Sequence, residues 1–242
     1  MQDKVEGRNA VAELLKTGRA VDKIYVKSGE RQGSIIPIIR EAKKRGILVV
    51  EVSREKLDAM SESKAHQGII AQVPPIDYFS VEDILEYARS KNESPFLVIL
   101  DRVSDPHNLG SVIRSANCFG AHGVIIGKHE SVPLTASAIK ASAGAAEHTR
   151  VARVTNISKT IDDLKNAGLW IAAAEASGRE SLESAPLDGA LAIVVGGEDS
   201  GVSRLVLEKC DFVVSIPMRG EVNSLNASVA AALMLYAASL RR

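Results

Sequence analysis

Polar side chains suited to binding or catalysis gather in three segments of this 242-residue sequence. The segment SDPHNLGSVIR contains Asn108 and Arg114, VVGGEDSG contains Glu198, and RGEVNSLNAS contains Ser224 and Asn226. Each segment follows an apolar run that is typical of a buried strand. A carboxylate or an arginine at such a place can orient a substrate, and the start of a helix offers its N–H groups to an anion.

Taken singly, these residues have ordinary structural explanations. Ser224 could serve only as the N-cap of the helix that follows it. Gly196 and Gly197 could form a common turn, although a glycine pair also lets another group approach the backbone closely. The second segment matches neither the dinucleotide-binding pattern GxGxxG nor the phosphate-binding pattern GxxxxGK[ST]. The three segments therefore have to be interpreted together.

Arg114 is predicted to lie on the outer face of a helix. Asp105 can cap this helix, and Pro106 can take its first position. The apolar residues of the helix share one face: Leu109, Val112, Ile113, Ala116 and Phe119. At about 100° per residue, Arg114 falls on the opposite face. It is then either a plain exposed arginine or a group that reaches a ligand or partner.

The elements that must position these residues alternate between strands and helices. Buried strands are predicted at Phe96–Leu100, Val124–Ile126, Val151–Val154, Leu169–Ala173, Leu191–Val195 and Phe212–Ile216. Apolar strands separated by helices predict an α/β fold with a parallel sheet covered on both faces. Ligands bind at the carboxyl ends of such strands, where the three segments lie.

The third segment joins the last strand to the final helix. We expect this helix to start near Ser224, after a tight reversal at Gly220. Its apolar residues recur at helical spacing: Leu225, Val229, Leu233, Tyr236 and Leu240.

The front of the chain is predicted to be a separate small α/β domain. Helices are expected at 9–16, 35–44 and 55–60, and strands at 23–26, 48–52 and 68–73. Pro74 and Pro75 interrupt this pattern, so we assign residues 1–73 to the first domain, 74–80 to a linker and 81–242 to the second. The first domain carries 14 Lys plus Arg against 10 Asp plus Glu, a net charge of +4 in a chain that is neutral overall. This excess allows contact with nucleic acid.

Composition excludes several classes of protein. Hydrophobic residues make up 45% of the chain, enough for a globular core, and no apolar run approaches the roughly 18 residues of a membrane span. We therefore expect a cytoplasmic protein without a membrane segment. The two cysteines, Cys118 and Cys210, have no partner motif, and the five histidines lack the spacing of metal ligands. No metal site is predicted.

Together and in this order, the three segments resemble the sequence motifs of the SpoU (TrmH) family of RNA ribose 2′-O-methyltransferases. The resemblance runs from about Phe96 to the end of the chain and includes the spacing between motifs. The front resembles the family's small substrate-binding domain, related in fold to ribosomal protein L30e, through the patterns VEGRNAVAELL and HQGIIA. The sequence departs from the usual motifs at Arg219 and Asp199, and both residues change the charge beside the expected site.

The resemblance implies a catalytic SPOUT domain whose carboxyl-terminal segment forms a trefoil knot. In this family the knot binds S-adenosyl-L-methionine, and the protein is a homodimer with the site near the subunit boundary. The corresponding cofactor-binding residues here are Gly196, Gly197, Ile216, Met218, Ser224 and Leu225.

The implied reaction is attack of a ribose 2′-hydroxyl on the methyl group of the sulfonium. The family places Arg114 at this step, although a free guanidinium has a pKa above about 12 and acts as a base only if strongly perturbed. Asn108, Glu198, Ser224 and Asn226 would position Arg114, the cofactor or the ribose. A neighbouring RNA phosphate could relay the proton.

Within the family, the chain resembles most closely the branch that methylates a guanosine in the peptidyl-transferase loop of 23S ribosomal RNA. A large-subunit precursor is an equivalent partner, and a tRNA 2′-O-ribose methyltransferase is the near alternative. An RNA-binding ribosome-assembly factor is an alternative of another class, which the intact motif residues argue against. A nucleotide-dependent dehydrogenase is disfavoured because GxGxxG is missing.

Overall fold

The computed structural model describes residues 3–17, 20–29, 33–61, 65–74, 77–198, 201–221 and 224–242. Its front part consists of β1 (Asp3–Glu6), α1 (Arg8–Thr17), β2 (Lys23–Lys27), α2 (Ile35–Lys44), β3 (Leu48–Val52), α3 (Arg54–Met60) and β4 (Ile69–Val73). The strands form a sheet in the order β1-β4-β2-β3, with β2 and β3 parallel and β4 antiparallel to both of its neighbours. The predicted small α/β unit is therefore present.

The second part is built on a seven-stranded sheet. Its elements are α4 (Val81–Ser90), β5 (Phe96–Asp101), α5 (Pro106–Cys118), β6 (Gly123–Gly127), α6 (Ala136–Ala141), a 3₁₀ turn (Ala145–Glu147), β7 (Arg150–Val154), α7 (Ile157–Asn166), β8 (Trp170–Ala174), β9 (Glu180–Ser181), β10 (Leu191–Gly196), α8 (Arg204–Leu207), β11 (Phe212–Ser215) and α9 (Ala227–Ser239). The strand order is β7-β6-β5-β10-β8-β11-β9, and every neighbouring pair is parallel. The predicted parallel-sheet α/β fold is confirmed.

Each of the six strands predicted from apolar runs is present, within one residue at each end. Two further strands, β1 and β9, were not predicted. β1 has the sequence DKVE, in which charged residues hide the alternation, and β9 has only two residues. Such short strands are defined by pairing with a neighbour rather than by a local pattern.

The final helix begins later than predicted. Its N-cap is Asn226 rather than Ser224, and the Asn226 side chain accepts hydrogen bonds from the backbone N–H groups of Ser228 and Val229. The apolar residues from which the helix was predicted lie on its exposed side and form a stripe there: Leu225, Val229, Leu233, Tyr236 and Leu240. The buried side consists of smaller and more flexible residues: Ala227, Ala231, Met234, Leu235 and Ala238. Because alanine leaves room for a neighbour, this side packs closely against α5 and β10.

The described end of the predicted linker lies against the second sheet. The Phe79 N–H donates to the Val151 carbonyl at 2.9 Å, and the Tyr78 hydroxyl accepts from the Leu134 N–H at 2.8 Å. Pro75 and Ile76 of this linker lie outside the described residues, as does Asp199. The domain boundaries remain an interpretation of the sequence.

The two parts also contact each other through α6 and the 3₁₀ turn. Lys140 on α6 donates to the Ala65 carbonyl at 2.7 Å and lies 4.0 Å from the buried Glu6 carboxylate. His148 lies 2.7 Å from Glu13 on α1, and this hydrogen bond is the main reason that the pKa of Glu13 is lowered. Across the described ranges, no helix is long and apolar enough to cross a membrane.

Gly110 allows α5 to pack directly on α6. A Cβ atom at this position would meet the Ala138 carbonyl oxygen and lie 2.5 Å from the Ala141 side chain. We expect Gly110→Ala to lower the free energy of unfolding by about 1–3 kcal/mol through overpacking, although alanine favours a helix by about 1 kcal/mol. Urea denaturation followed by circular dichroism measures the change.

Gly220→Ala is the matched control, because a Cβ atom there meets nothing within 4 Å. It should leave the free energy of unfolding unchanged within about 0.5 kcal/mol. A Gly110→Ala protein that is as stable as wild type would show that α5 and α6 can move apart to make room for the methyl group.

Candidate functional site

A chain of side-chain hydrogen bonds joins the three polar segments. The Asn226 Nδ2 group donates to Asn108 Oδ1 at 3.0 Å, and Asn108 Nδ2 donates to Glu198 Oε1. Asn226 Oδ1 already accepts from the N–H groups of Ser228, at 2.9 Å, and Val229, at 3.3 Å. The helix cap therefore sets the direction of both amides, because only Nδ2 of Asn226 remains to donate to Asn108.

The sheet topology explains why these residues meet. β5 and β10 are parallel neighbours, so the loops that follow them start side by side and place Asn108 near Glu198. Asp101, at the end of β5, is 5% exposed and accepts the Ser203 N–H at 2.6 Å through its carboxylate. Its carbonyl accepts the Gly197 N–H at 2.9 Å. Through its carbonyl and its carboxylate, Asp101 thus holds the loop after β10 against the end of β5.

Gly196 and Gly197 are required by the packing of the protein backbone. A Cβ atom on Gly196 would collide with the backbone of Gly201 and Val202, and one on Gly197 would collide with the Arg102 carbonyl. The close neighbour of Gly197 is the loop after β5, and that of Gly196 is a later part of its own loop. Both glycines also form part of the wall of a cavity.

The cavity lies between the carboxyl ends of β8 and β10 and the start of α9. It is open to solvent, and its empty space, open mouth included, is about 630 Å³. Its lining includes small residues, apolar side chains and two carboxylates: Ala174, Glu175, Ala176, Val195, Gly196, Gly197, Glu198, Gly201, Ile216, Met218, Leu225, Ala227 and Ala230. Such walls suit a ligand that combines a flat apolar group with a positive charge.

Most of the predicted site residues lie at this cavity. Gly196, Gly197, Glu198, Ile216, Met218 and Leu225 line it. Asn108, which is 6% exposed, contacts the lining through its hydrogen bond to Glu198, and Asn226 is hydrogen-bonded to Asn108. Ser224 is exposed next to Leu225 and is not part of the lining.

Arg114 lies apart from the cavity. It occupies the exposed face of α5, as predicted, while Leu109, Val112, Ile113 and Ala116 are buried. The guanidinium makes no hydrogen bond or ion pair with the described part of the chain. It is therefore available to a molecule outside this subunit.

Glu175 is a cavity residue that the sequence analysis missed. It follows β8 directly, and its carboxylate accepts the Ala176 N–H at 3.2 Å and the Val202 N–H at 3.4 Å. Its position at the carboxyl end of a predicted strand was the available signal. Within the ranges that the structure describes, no group of three or more His, Cys, Asp and Glu residues could hold a metal ion.

Sequence comparison gives two family matches. The SpoU rRNA methylase family matches residues 95–236, and the family described as RNA 2′-O ribose methyltransferase substrate binding matches residues 4–79. A Bacillus subtilis (strain 168) protein named for the TrmH family of tRNA/rRNA methyltransferases is 46% identical over 234 residues, which cover 97% of this chain and 94% of that protein.

Three solved structures share the fold. The SpoU methyltransferase AviRb from Streptomyces viridochromogenes, crystallised with AdoMet, has a TM-score of 0.81 at 24% identity and covers 99% of this chain and 89% of its own. An RNA 2′-O ribose methyltransferase has a TM-score of 0.82 at 26% identity, with coverage of 99% and 88%. The A. aeolicus TrmH/SpoU tRNA modifying enzyme has a TM-score of 0.54 at 26% identity, with coverage of 66% and 83%.

These matches agree with the three connected segments. One family match begins just before β5 and ends within α9, so it contains the whole hydrogen-bond chain from Asn108 to Asn226. The other contains the front sheet. The chain belongs to the SpoU (TrmH) family of RNA 2′-O-ribose methyltransferases.

Proposed function

We propose that the protein transfers a methyl group from S-adenosylmethionine to the 2′-hydroxyl of a guanosine in the peptidyl-transferase loop of 23S ribosomal RNA. The observation that carries this proposal is the Asn226–Asn108–Glu198 chain, which ends on a carboxylate in the wall of the cavity. Membership of the family supports RNA ribose methylation. The identity of the cofactor, the methylated nucleotide and the roles of individual residues are what we propose in addition.

The cavity suits S-adenosylmethionine. Its apolar lining from Ile216, Met218 and Leu225 can hold an adenine ring, and the carboxylates of Glu175 and Glu198 favour a cationic sulfonium nearby. The bound cofactor supplies a methyl group already activated by that positive charge. The related AviRb was crystallised with the same compound. Threading of the carboxyl-terminal segment through a trefoil knot stays a prediction from the resemblance.

The protein has to align the reacting atoms and help the hydroxyl proton leave. A bond forms between the ribose oxygen and the methyl carbon, the bond from that carbon to sulfur breaks, and the proton is released. Arg114 is exposed on α5, outside the lining of the cavity, where its guanidinium can hold a phosphate of the bound RNA and so orient the ribose. Asn108 orients Glu198 through the hydrogen bond between them.

Ribosomal RNA is favoured over tRNA by the extent of the structural likeness. The likeness to the tRNA modifying enzyme of A. aeolicus covers 66% of this chain, so about a third of the chain has no counterpart there. This chain carries a substrate-binding region at residues 4–79, which a substrate other than that enzyme's would explain. A tRNA substrate would leave the chemistry of the cavity unchanged.

The exposed stripe of α9 supports a homodimer. Leu225, Val229, Leu233, Tyr236 and Leu240 are between 36% and 68% exposed and follow one side of the helix. Contiguous apolar surface of this kind marks an interaction site. Because Leu225 belongs both to the stripe and to the cavity wall, a second subunit on the stripe would border the cavity.

Methyl transfer tests the proposed reaction. We expect wild-type protein to methylate 23S ribosomal RNA with labelled S-adenosylmethionine and Arg114→Ala to lose at least about 100-fold in rate, since orientation of the ribose is lost. Binding of S-adenosylhomocysteine should be retained, because Arg114 is not in the cavity lining. The modified nucleotide is identified by mapping the product.

Arg204→Ala is the matched control, since Arg204 is also exposed but lies on α8. It should methylate at the wild-type rate. Methylation of tRNA and not of 23S ribosomal RNA would contradict the proposed substrate. An Arg114→Ala protein that remains fully active would overturn the role of the arginine, and one that is inactive but still supports ribosome assembly would favour the assembly-factor alternative.

Asn226→Ala should weaken the cofactor site as well as the helix. Loss of the N-cap costs about 1 kcal/mol of stability, and loss of the hydrogen bond to Asn108 should weaken binding of S-adenosylhomocysteine about tenfold. Calorimetric titration measures the affinity. Ser80→Ala removes the comparable N-cap of α4 and should cost similar stability at unchanged affinity. Equal affinities in both variants would contradict the role of Asn226.

Leu233→Lys should convert a dimer into a monomer. Leu233 lies in the middle of the stripe, so a lysine there would bring a charge into the proposed interface at both copies. Sedimentation velocity separates the two states. Leu205→Lys places the same charge on α8, outside the stripe, and should leave the dimer intact. A monomeric wild-type protein would exclude the proposed dimer.

A further inference from the structure

Arg102 directly follows β5, and its backbone lies against the wall of the cavity described above. β5 is the neighbour of β10 in the second sheet. A Cβ atom on Gly197 would collide with the Arg102 carbonyl oxygen, and Gly197 lines the cavity. Arg102 itself is not part of the lining. It therefore borders the cavity from outside, at the edge of the sheet where ligands of parallel α/β folds bind.

The backbone of Arg102 has a conformation that arginine seldom adopts. Its φ angle is +60°, in the left-handed region that favours glycine. The residues on both sides are fixed, since the Asp101 carbonyl accepts the Gly197 N–H at 2.9 Å and the Val103 carbonyl accepts the Val132 N–H at 3.0 Å. Strained residues that their surroundings hold in this way are concentrated at functional sites.

The left-handed conformation does not by itself require an arginine. Asn92, shortly before β5, has a φ angle of +57° directly after the C-cap of α4, where left-handed residues are common and asparagine is a usual choice. Arg102 follows a strand instead, and glycine would adopt its backbone angles without strain. The reason for an arginine at this position must therefore lie in its side chain.

The guanidinium of Arg102 is only partly satisfied within the protein. The side chain is 32% exposed, but its Nε atom is buried and has no hydrogen-bond partner in the described part of the chain. Nε lies 3.9 Å from Oδ2 of Asp101, and that oxygen already accepts the Ser203 N–H at 2.6 Å. The two terminal nitrogens also lack a partner among the described residues and are not among the buried unpaired atoms, so solvent reaches them.

This arrangement leaves a fork of N–H groups free to bind an anion. The Asp101 carboxylate neighbours Nε and leaves both terminal nitrogens unoccupied. Two such nitrogens match the geometry of phosphate oxygens, and RNA carries a phosphate at each nucleotide. An anionic group of a small molecule inside the cavity is a poorer match, because Arg102 lies outside the lining.

We propose that Arg102 is a substrate-binding residue for methyl transfer, whose guanidinium holds a backbone phosphate of the RNA at the outer rim of the cavity. The proposal rests on the proposed function, since the ligand is the RNA to be methylated. The left-handed backbone directs the side chain, and the arginine is kept there despite the strain. This contact is separate from that of Arg114, which lies on the exposed face of α5.

The test uses a substitution that removes the side chain and relieves the backbone. Arg102→Gly does both, so its melting temperature should rise or stay within about 2 °C of that of wild type. Asn92→Gly makes the same kind of backbone change before β5, and Arg89→Ala removes one charge from an exposed position on α4. These two variants are the controls.

Arg102→Gly should bind a 23S ribosomal RNA fragment at least about fivefold more weakly, and its salt dependence should fall by about one phosphate contact. The value of kcat/KM for methyl transfer to this RNA should fall by at least about the same factor. Binding of S-adenosylhomocysteine should stay within about twofold of wild type, and both controls should behave as wild type throughout. Fluorescence anisotropy at several salt concentrations measures RNA binding, and calorimetric titration measures binding of S-adenosylhomocysteine.

Wild-type RNA affinity in Arg102→Gly would overturn the proposal, because no phosphate would then be held at this residue. So would a loss of S-adenosylhomocysteine binding as large as the loss of RNA binding, or a melting temperature lower by more than about 5 °C. Either of these would show that the arginine supports the loop after β5 rather than the substrate.

The outcome is distinguishable from failure of the proposed function. Wild-type protein that methylates RNA, with an Arg102→Gly variant that binds and methylates equally well, would remove the phosphate contact and leave the enzyme. Wild-type protein that transfers no methyl group, with RNA binding weakened in Arg102→Gly alone, would do the reverse. Wild-type protein that binds no RNA would overturn both.

Discussion

The carboxamide of Asn108 is the junction on which the arrangement of the site depends. It is nearly buried, accepts from Asn226 and donates to Glu198, so it joins the loop after β5, the loop after β10 and the cap of α9. A buried amide left without these partners would cost about 1–3 kcal/mol. The three segments are far apart in sequence, and this junction brings their ends to one side of the cavity.

Close backbone packing gives this junction a rigid frame. Gly197 lies on the Arg102 carbonyl, Gly196 lies on Gly201 and Val202, and the buried Asp101 carboxylate holds the Ser203 N–H. Close packing also occurs between helices, since Gly110 allows α5 to contact α6 directly. Close-packed backbone of this kind resists displacement, so it supports the wall of the cavity that Gly196 and Gly197 form.

Much of this arrangement could be predicted from sequence, for identifiable reasons. Strands buried on both faces are continuous apolar runs, and the rule for parallel sheets then places Asn108, Glu198 and the start of α9 at one edge. The exposed side of α9 could not be predicted, since both of its sides are apolar and helical spacing does not say which side packs. The segment SLN contains two residues that can cap a helix, and the cap is Asn226, whose amide also donates to Asn108. The local sequence does not distinguish the two residues, whereas this contact with a distant segment involves Asn226 alone.

The front part contacts α6 of the second part directly. The buried Glu6, at the end of β1, lies 4.0 Å from Lys140 on α6. Burial lowers the pKa of Lys140, and the Glu6 carboxylate opposes this shift, which makes each charge depend on the other. α6 in turn packs on α5 through Gly110, two residues from Asn108. The front part is therefore connected, through α6 and α5, to the residues beside the cavity.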